Sequence, residues 1–215
     1  SGFIFGLNVA TQYLLTGFSK TVLVVGAEVM TRTLNWKDRT TCILWGDGAG
    51  AAILTKDSGG HQLLSTHIHT DGKNGQDLLM PGGGSRTTPI SHESVDKGLH
   101  TLNMIEANAS FRVAVRHFVE SIKEAADQNK VSIKDIAWFI PHQANIRIMD
   151  TVAERLRIPK EKVIVTVHKY GNTSAASIPT ALDEGVRGGK IQRGDLILTS
   201  SFGAGLTWGS ALFRY

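Results

Sequence analysis

The side chains best suited to chemistry stand in one short run, Ile140-Pro141-His142-Gln143-Ala144-Asn145. An imidazole and a carboxamide are both polar hydrogen-bonding groups that can act while uncharged. Residues 136–140 are apolar and read as a short buried strand, which Pro141 should end because it has no N–H for a ladder. A helical pattern follows through Met149, Val152 and Leu156. His142 and Asn145 are thus expected at the mouth of a strand-to-helix turn, where open α/β sheets place their ligands. A plain helix start with a surface histidine would read the same way, so the surrounding elements must decide.

A second run, Tyr170-Gly171-Asn172-Thr173-Ser174-Ala175-Ala176-Ser177, is built of small residues. It follows an expected short strand at 163–167 and opens a helix through Ile178, Leu182 and Val186. Asn172 in that place also suits a helix cap. The glycines of Gly46-Asp47-Gly48-Ala49-Gly50-Ala51 invite comparison with a phosphate loop. Such a loop must open a helix, so that its amides converge on the anion. These glycines lead instead into Ala52-Ile53-Leu54-Thr55, a strand, and close packing between strands is the reading adopted.

The elements that position these runs are legible by period. Phe3, Leu7, Ala10 and Leu14 keep helical spacing, and Ile4, Val9 and Tyr13 make the other faces apolar too. A helix apolar all round belongs in a core. Because a chain seldom opens on such a helix, residues before Ser1 are expected to be cut away or carried on another polypeptide. Thr21–Val29 is a continuous apolar run, predicted to be a strand buried on both faces. Residues 31–40 read as a surface loop, and 40–45 as a β-like run holding Cys42 as a buried structural thiol. Residues 63–70 alternate and read as a strand with His67 and His69 on one half-exposed face. Residues 71–95 have no period and read as a long excursion. Phe111, Val115, Phe118, Ile122 and Ala125 form a helical stripe, and two further strands, at 195–200 and 207–215, close the chain on a hairpin. The closing helix, strand, glycine turn and strand resemble the pattern of residues 1–54, which argues for two related α/β halves, the first incomplete. The boundaries drawn are 1–57 for the remainder of the first half and 58–215 for the second, with the loop 71–95 inside it.

Bulk composition narrows the class. The chain has 215 residues, 41% hydrophobic and 20% charged, which is ordinary for a globular protein. No apolar run approaches the ~20 residues that span a bilayer. A single cysteine excludes a disulfide within the chain and points to a cytoplasmic setting. The net charge of +4 is mild and spread out, so it fits a local basic patch facing an acidic partner better than nucleic acid.

The proline-histidine run, the Tyr170 run, the Gly46 run and Phe202-Gly203-Ala204-Gly205-Leu206-Thr207-Trp208-Gly209 together resemble the motifs of β-ketoacyl-acyl carrier protein synthase III, in family order and spacing. The resemblance covers essentially the whole chain. It implies an α/β thiolase-like fold of two halves with mixed five-stranded sheets. It also implies a Cys-His-Asn triad in which His142 and Asn172 match the family residues. The nucleophilic cysteine would stand immediately before Ser1, and Cys42 does not match it. The implied reaction is a decarboxylative Claisen condensation of a short acyl-coenzyme A, acetyl-CoA foremost, with malonyl-acyl carrier protein, which starts fatty acid synthesis. His142 and Asn172 would donate to the enolate oxygen, and the backbone of Ala204 to the acyl-transfer oxyanion. Arg39 would lie near the nucleotide of coenzyme A. Trp45, Asn108, Phe111, Ala144 and Asn145 would wall the pantetheine tunnel, and Arg112, Arg147 and Arg155 would dock the carrier protein. No metal and no cofactor beyond the thioester substrate is implied, and a cytoplasmic homodimer is. Relatives making a quinolone, a polyketide or a long-chain ketone share the triad. A non-catalytic fragment or binding module would share the fold.

Overall fold

A computed structural model describes residues 1–57, 59–84, 89–104 and 107–215, and of residues 74 and 107–110 the backbone alone. In chain order the elements are α1 (Gly2–Leu15), β1 (Thr21–Val29), α2 (Arg39–Cys42), β2 (Asp47–Thr55), β3 (Gln62–Thr70) and β4 (Leu78–Leu79). They continue with α3 (His92–Asp96), β5 (Asn103–Met104), α4 (Ala107–Gln128), β6 (Trp138–Pro141), α5 (Ile146–Leu156), α6 (Val167–Tyr170), α7 (Ser177–Arg187), β7 (Leu196–Gly203) and β8 (Thr207–Arg214). The main sheet is mixed, in the order β3-β8-β7-β6, with β6 parallel to β7 and the other pairs antiparallel. Val163 flanks its β6 edge through a parallel bridge to Phe139. β1 and β2 form a separate antiparallel ribbon, and β4 pairs with β5.

The main sheet is covered by helices on both faces, which explains why β6 and the first residues of β7 are apolar at successive positions. Leu196, Leu198, Phe139 and Leu212 face α4 and α5. Ile197, Ile140 and Ala211 face α1 and α7, as strand alternation requires. Phe118, Ile122, Phe139, Ile197, Leu198 and Leu212 are fully buried, and each such side chain contributes about 1.5–3 kcal/mol. α1 and α7 lie between the main sheet and the β1–β2 ribbon. The layers are therefore helices, sheet, helices and ribbon. Among the described residues no helix is long and apolar enough to cross a membrane.

Several expectations change. α1 buries one stripe, Phe3, Ile4, Leu7, Ala10 and Leu14, and leaves Val9, Tyr13 and Leu15 exposed. β1 is covered on one face only, because the described residues supply the ribbon with no further layer; Leu23, Val25, Val29 and Ile53 stand exposed. Residues 30–33 and 39–42 are helical turns, and Cys42 lies in the second, half-buried, since Asp38 caps the turn by accepting from the Thr40 N–H at 3.0 Å. Residues 163–167 form no strand beyond the Val163 bridge, and the chain coils into α6. β6 runs through Pro141 rather than stopping before it. Successive N–H groups of a parallel strand face alternate neighbours. The His142 N–H donates to Ser200 O at 2.8 Å, so the Pro141 nitrogen faces away from β7 and its missing donor is tolerated. The 71–95 excursion contains a 3-10 turn at Gly72–Asn74, β4 and the start of α3, while 85–88 lie outside the described residues. His67 and His69 do share a face of β3, where both approach Glu124 of α4, at 3.6 and 2.6 Å.

The ribbon's glycines let one segment come close. A Cβ on Gly26 would collide with the Ala175 carbonyl, and one on Gly46 with the Tyr170 carbonyl. At Gly48 it would meet the Thr173 methyl at 3.1 Å, and at Gly50 Pro179 and the Thr180 nitrogen at 2.9 Å. The glycine run is therefore a seat for residues 170–180 rather than a nucleotide loop. Gly26→Ala should accordingly destabilise the protein by about 2–3 kcal/mol, because the clash is with backbone. Gly72→Ala, where a Cβ meets nothing within 4 Å, should change stability by less than about 0.5 kcal/mol. Urea midpoints of the two variants test this, and equal midpoints would refute the seat.

Candidate active site

His142 is held by its neighbours before any ligand is considered. The fully buried Gln143 carboxamide donates to Pro141 O at 2.8 Å and Ile164 O at 3.1 Å. Its oxygen accepts from the Thr166 and Val167 N–H groups at 2.7 and 3.1 Å. Three of these bonds pin the β6–α5 turn to the chain at 164–167, and all four together leave no buried valence of the amide open. Asn145 caps α5 by accepting from the Arg147 N–H at 2.8 Å, and the Ala144 N–H donates to His142 O at 2.9 Å. His142 Nδ1 lies 2.6 Å from Ser177 Oγ, which also accepts from the Gln143 N–H at 3.3 Å. Nε2 has no protein partner among the described residues. Burial disfavours the charged ring and lowers its pKa from 6.5 to about 3. The imidazole is neutral at pH 7.

Asn172 is fixed from another direction. Its N–H donates to Leu44 O at 2.8 Å, and its carbonyl accepts from Gly46 N–H at 3.0 Å, so Trp45 and Asn172 form a parallel bridge. Gly171 just before it has φ +66°, a left-handed value that favours glycine, and its Cβ position lies 3.1 Å from Trp45 C. The Asn172 Oδ1 accepts from the Ser174 N–H at 2.9 Å. Asn172 therefore closes a local turn rather than capping α7, whose N-cap position is Ala176. With Oδ1 occupied, the amide presents Nδ2–H, which has no protein partner among the described residues.

Four elements meet at the amino end of α1. Ala175 Cβ lies 3.4 Å from the Cβ position of Gly2, and its N–H donates to Glu28 Oε1 at 3.3 Å. Gly203, at the end of β7, has its Cβ position 3.4 Å from Ser1 N, and Ser1 Oγ donates to Thr207 O at 2.9 Å. The turn that begins at Asn172 ends at Ser177, the partner of His142. The His142 ring and the Asn172 carboxamide, both uncharged, are thereby carried on turns joined through Ser177, and the second of these turns reaches the amino end of α1 through Ala175. Such a set can hold a developing oxyanion without a net charge.

The other expected site residues fall as follows. Ala204 begins the turn after β7, is exposed, and has no left-handed φ, so alanine is tolerated there. Arg39 is exposed at the start of α2, and Trp45 is half-buried beside Asn172. The Arg147 guanidinium lies 5.9 Å from the Phe111 ring centre, joining α4 to α5. Arg112 and Arg155 are exposed on those helices. Asn108 belongs to α4, and its side chain lies outside the described residues. Sequence reasoning missed Gln143 and Ser177 as positioning groups. Both stand in the quoted motifs, but their partners are 21 to 35 residues away.

Comparisons with known proteins bear on the family and the fold. Residues 1–72 match the family description 3-oxoacyl-[acyl-carrier-protein] synthase III, and 126–215 match its C-terminal counterpart. The chain is 50% identical over 216 residues to the β-ketoacyl-[acyl-carrier-protein] synthase III of Alkalilimnicola ehrlichii, and 47% identical over 215 to that of Caldanaerobacter subterraneus. It is covered fully in both and spans 65% and 64% of their lengths. The crystal structure of 3-oxoacyl-[acyl-carrier-protein] synthase III from Aquifex aeolicus superposes with a TM-score of 0.89 at 41% identity, over 100% of this chain and 64% of that one. The two matched segments, the thiolase-like layers and the full-length likeness place this chain in the 3-oxoacyl-[acyl-carrier-protein] synthase III family.

Proposed function

We propose that the chain is the larger part of an acyltransferase that condenses a short acyl-CoA with malonyl-acyl carrier protein to give 3-oxoacyl-acyl carrier protein, the first step of fatty acid synthesis. The observation that supports this reading is a pair of uncharged side chains, His142 and Asn172, each with one polar atom bonded within the protein and one nitrogen without a protein partner among the described residues. The nucleophile is assigned to a cysteine immediately before Ser1, where the N-terminal dipole of α1 would favour a thiolate. The acyl group passes from coenzyme A to that sulfur, and the Ala204 N–H is assigned to the tetrahedral oxyanion. Malonyl thioester then loses carbon dioxide, and the electron pair of the broken bond forms an enolate. Its oxygen accepts from His142 and Asn172, its carbon attacks the thioester, and the cysteine thiolate leaves. A neutral imidazole suits this step because it stabilises the enolate as a donor without burying a cation.

Arg39 and the walls Trp45, Asn108, Phe111, Ala144 and Asn145 are assigned to coenzyme A and pantetheine. Arg112, Arg147 and Arg155 are assigned to the acidic carrier protein. The reading extends to a cytoplasmic homodimer, in which the cysteine lies on the same polypeptide or on a separate one. The exposed apolar side chains of the ribbon, Leu23, Val25 and Ile53, support a partner layer there.

In an enzyme that includes the cysteine, His142→Ala and Asn172→Ala should each lower malonyl decarboxylation by about 10²–10³-fold while sparing most acyl transfer to the cysteine. Radiolabelled carbon dioxide release and acyl-enzyme formation measure the two separately, and equal loss in both removes the donor roles. Arg147→Glu should raise KM for malonyl-carrier protein by about ten-fold and leave malonyl-CoA as a surrogate little changed; an unchanged preference ends the docking assignment. The lowered pKa of His142 has a sign of its own. Between about pH 6.5 and 3 the unfolded chain binds a proton at this ring that the folded protein does not. The stability it contributes is complete above about pH 6.5 and is lost as pH falls towards 3. Urea unfolding should therefore weaken over that window by up to about 1.4 kcal/mol per pH unit more than in His142→Gln. Parallel slopes would show that the ring titrates normally.

A further inference from the structure

We infer that Ser177 sets the tautomer of His142: its hydroxyl donates to Nδ1, which leaves the ring hydrogen on Nε2, the nitrogen with no protein partner. His142 is then a standing N–H donor and not a base at the nitrogen that meets substrate. The inference rests on the reading of His142 as a donor to the enolate oxygen, and it adds a positioning residue to that site.

Three observations carry it. Ser177 Oγ is within bonding distance of two nitrogens, the Gln143 backbone at 3.3 Å and His142 Nδ1 at 2.6 Å. A backbone N–H can only donate, so Oγ accepts from Gln143 and has its own hydrogen left to give. Were Nδ1 the protonated nitrogen, Oγ would accept twice and its hydrogen would point at no acceptor among the hydrogen bonds of the described residues. Ser177 is 2% exposed, so water does not readily relieve that orphan. Leaving a buried donor unpaired is worth roughly ten- to a hundred-fold in the ratio of the two tautomers. The second observation is that Ser177 is not spent on its helix. Serine at a helix start usually caps it, yet the cap position of α7 is Ala176 and no side-chain cap bond is made. The hydroxyl is therefore available to the imidazole. The third is the immobility of both partners. Gln143 is clipped by four side-chain bonds, and the backbone N–H of His142 is tied to Ser200 O, so the backbone that carries the Gln143 N–H and the imidazole is fixed beside Oγ.

One consequence separates this from a merely structural serine. A ring with Nε2 already protonated cannot remove the proton of a nearby thiol at that nitrogen. Activation of the cysteine then falls to the N-terminus of α1, and His142 and Ser177 matter only once the enolate forms.

The test uses the full-length enzyme with ¹⁵N-labelled histidine. Long-range ¹⁵N–¹H spectra at pH 7 report which nitrogen of each ring is protonated, and the difference from His142→Gln picks out His142 among the other histidines. The wild type should show His142 with Nε2 protonated and Nδ1 bare. Ser177→Ala should shift it to a mixture or to the Nδ1–H form, and should lower malonyl decarboxylation about 10- to 100-fold with acyl transfer to cysteine within about three-fold. Ser177→Thr, which keeps a hydroxyl, should restore both the tautomer and most of the rate. A wild-type ring protonated at Nδ1 overturns the inference, and so does an unchanged tautomer in a folded Ser177→Ala. The wild-type spectrum decides even if that variant does not fold. If the ring is Nε2–H yet His142→Ala decarboxylates at the normal rate, the tautomer assignment stands and the enolate reading falls.

Discussion

Residues 170–180 can occupy their place only because the ribbon beneath them lacks side chains. Gly26, Gly46, Gly48 and Gly50 each abut that segment, two of them against its carbonyl groups. Backbone against backbone leaves no room for adjustment, because neither wall has a rotamer to change. The seat then carries the consequences upward. Asn172 is bound into the ribbon's edge through Leu44 and Gly46, Ala175 meets the start of α1, and Ser177 reaches His142. A small displacement of this segment would move the carboxamide and the imidazole's partner together.

The electrostatic design of the site is neutrality. His142 is buried, its ring is uncharged at pH 7, and Asn172 has no charge to lose. A charged group in the same place would have to be desolvated at rest. Neutral side chains with one polar atom already paired cost little in the resting protein. Arg39, Arg112, Arg147 and Arg155 are instead exposed, where water keeps guanidinium groups at little cost. The placement of Arg147 over Phe111 shows how the inner and outer zones join, since one side chain borders both α4 and the first turn of α5.

The two sheets differ in how they meet solvent. The β3-β8-β7-β6 sheet is covered on both faces by helices, while the β1–β2 ribbon exposes a row of large apolar side chains. Among the described residues no further layer sits on Leu23, Val25 and Ile53. The site itself does not depend on that outer face, because its contacts run from the ribbon's inner side through 170–180.

The sequence by itself determined the fold class, the family, the stretches that hold His142 and Asn172 and the order of most elements. Those properties are local: period in α4 and α5, glycine runs, and motifs whose spacing is written along one chain. It misjudged α1, β1, residues 40–45 and 163–167, because an apolar run does not say how many of its faces will find a neighbour, and short β-like runs yield to caps such as Asp38. Only the tertiary structure decided that the glycine run is a seat, that Asn172 spends its oxygen on Ser174, and that Gln143 and Ser177 hold the histidine. Each of these joins groups from different elements, or turns on which single atom of a side chain is already bonded. A linear pattern encodes which residues are present; the geometry of closed hydrogen-bond valences exists only after the elements have packed.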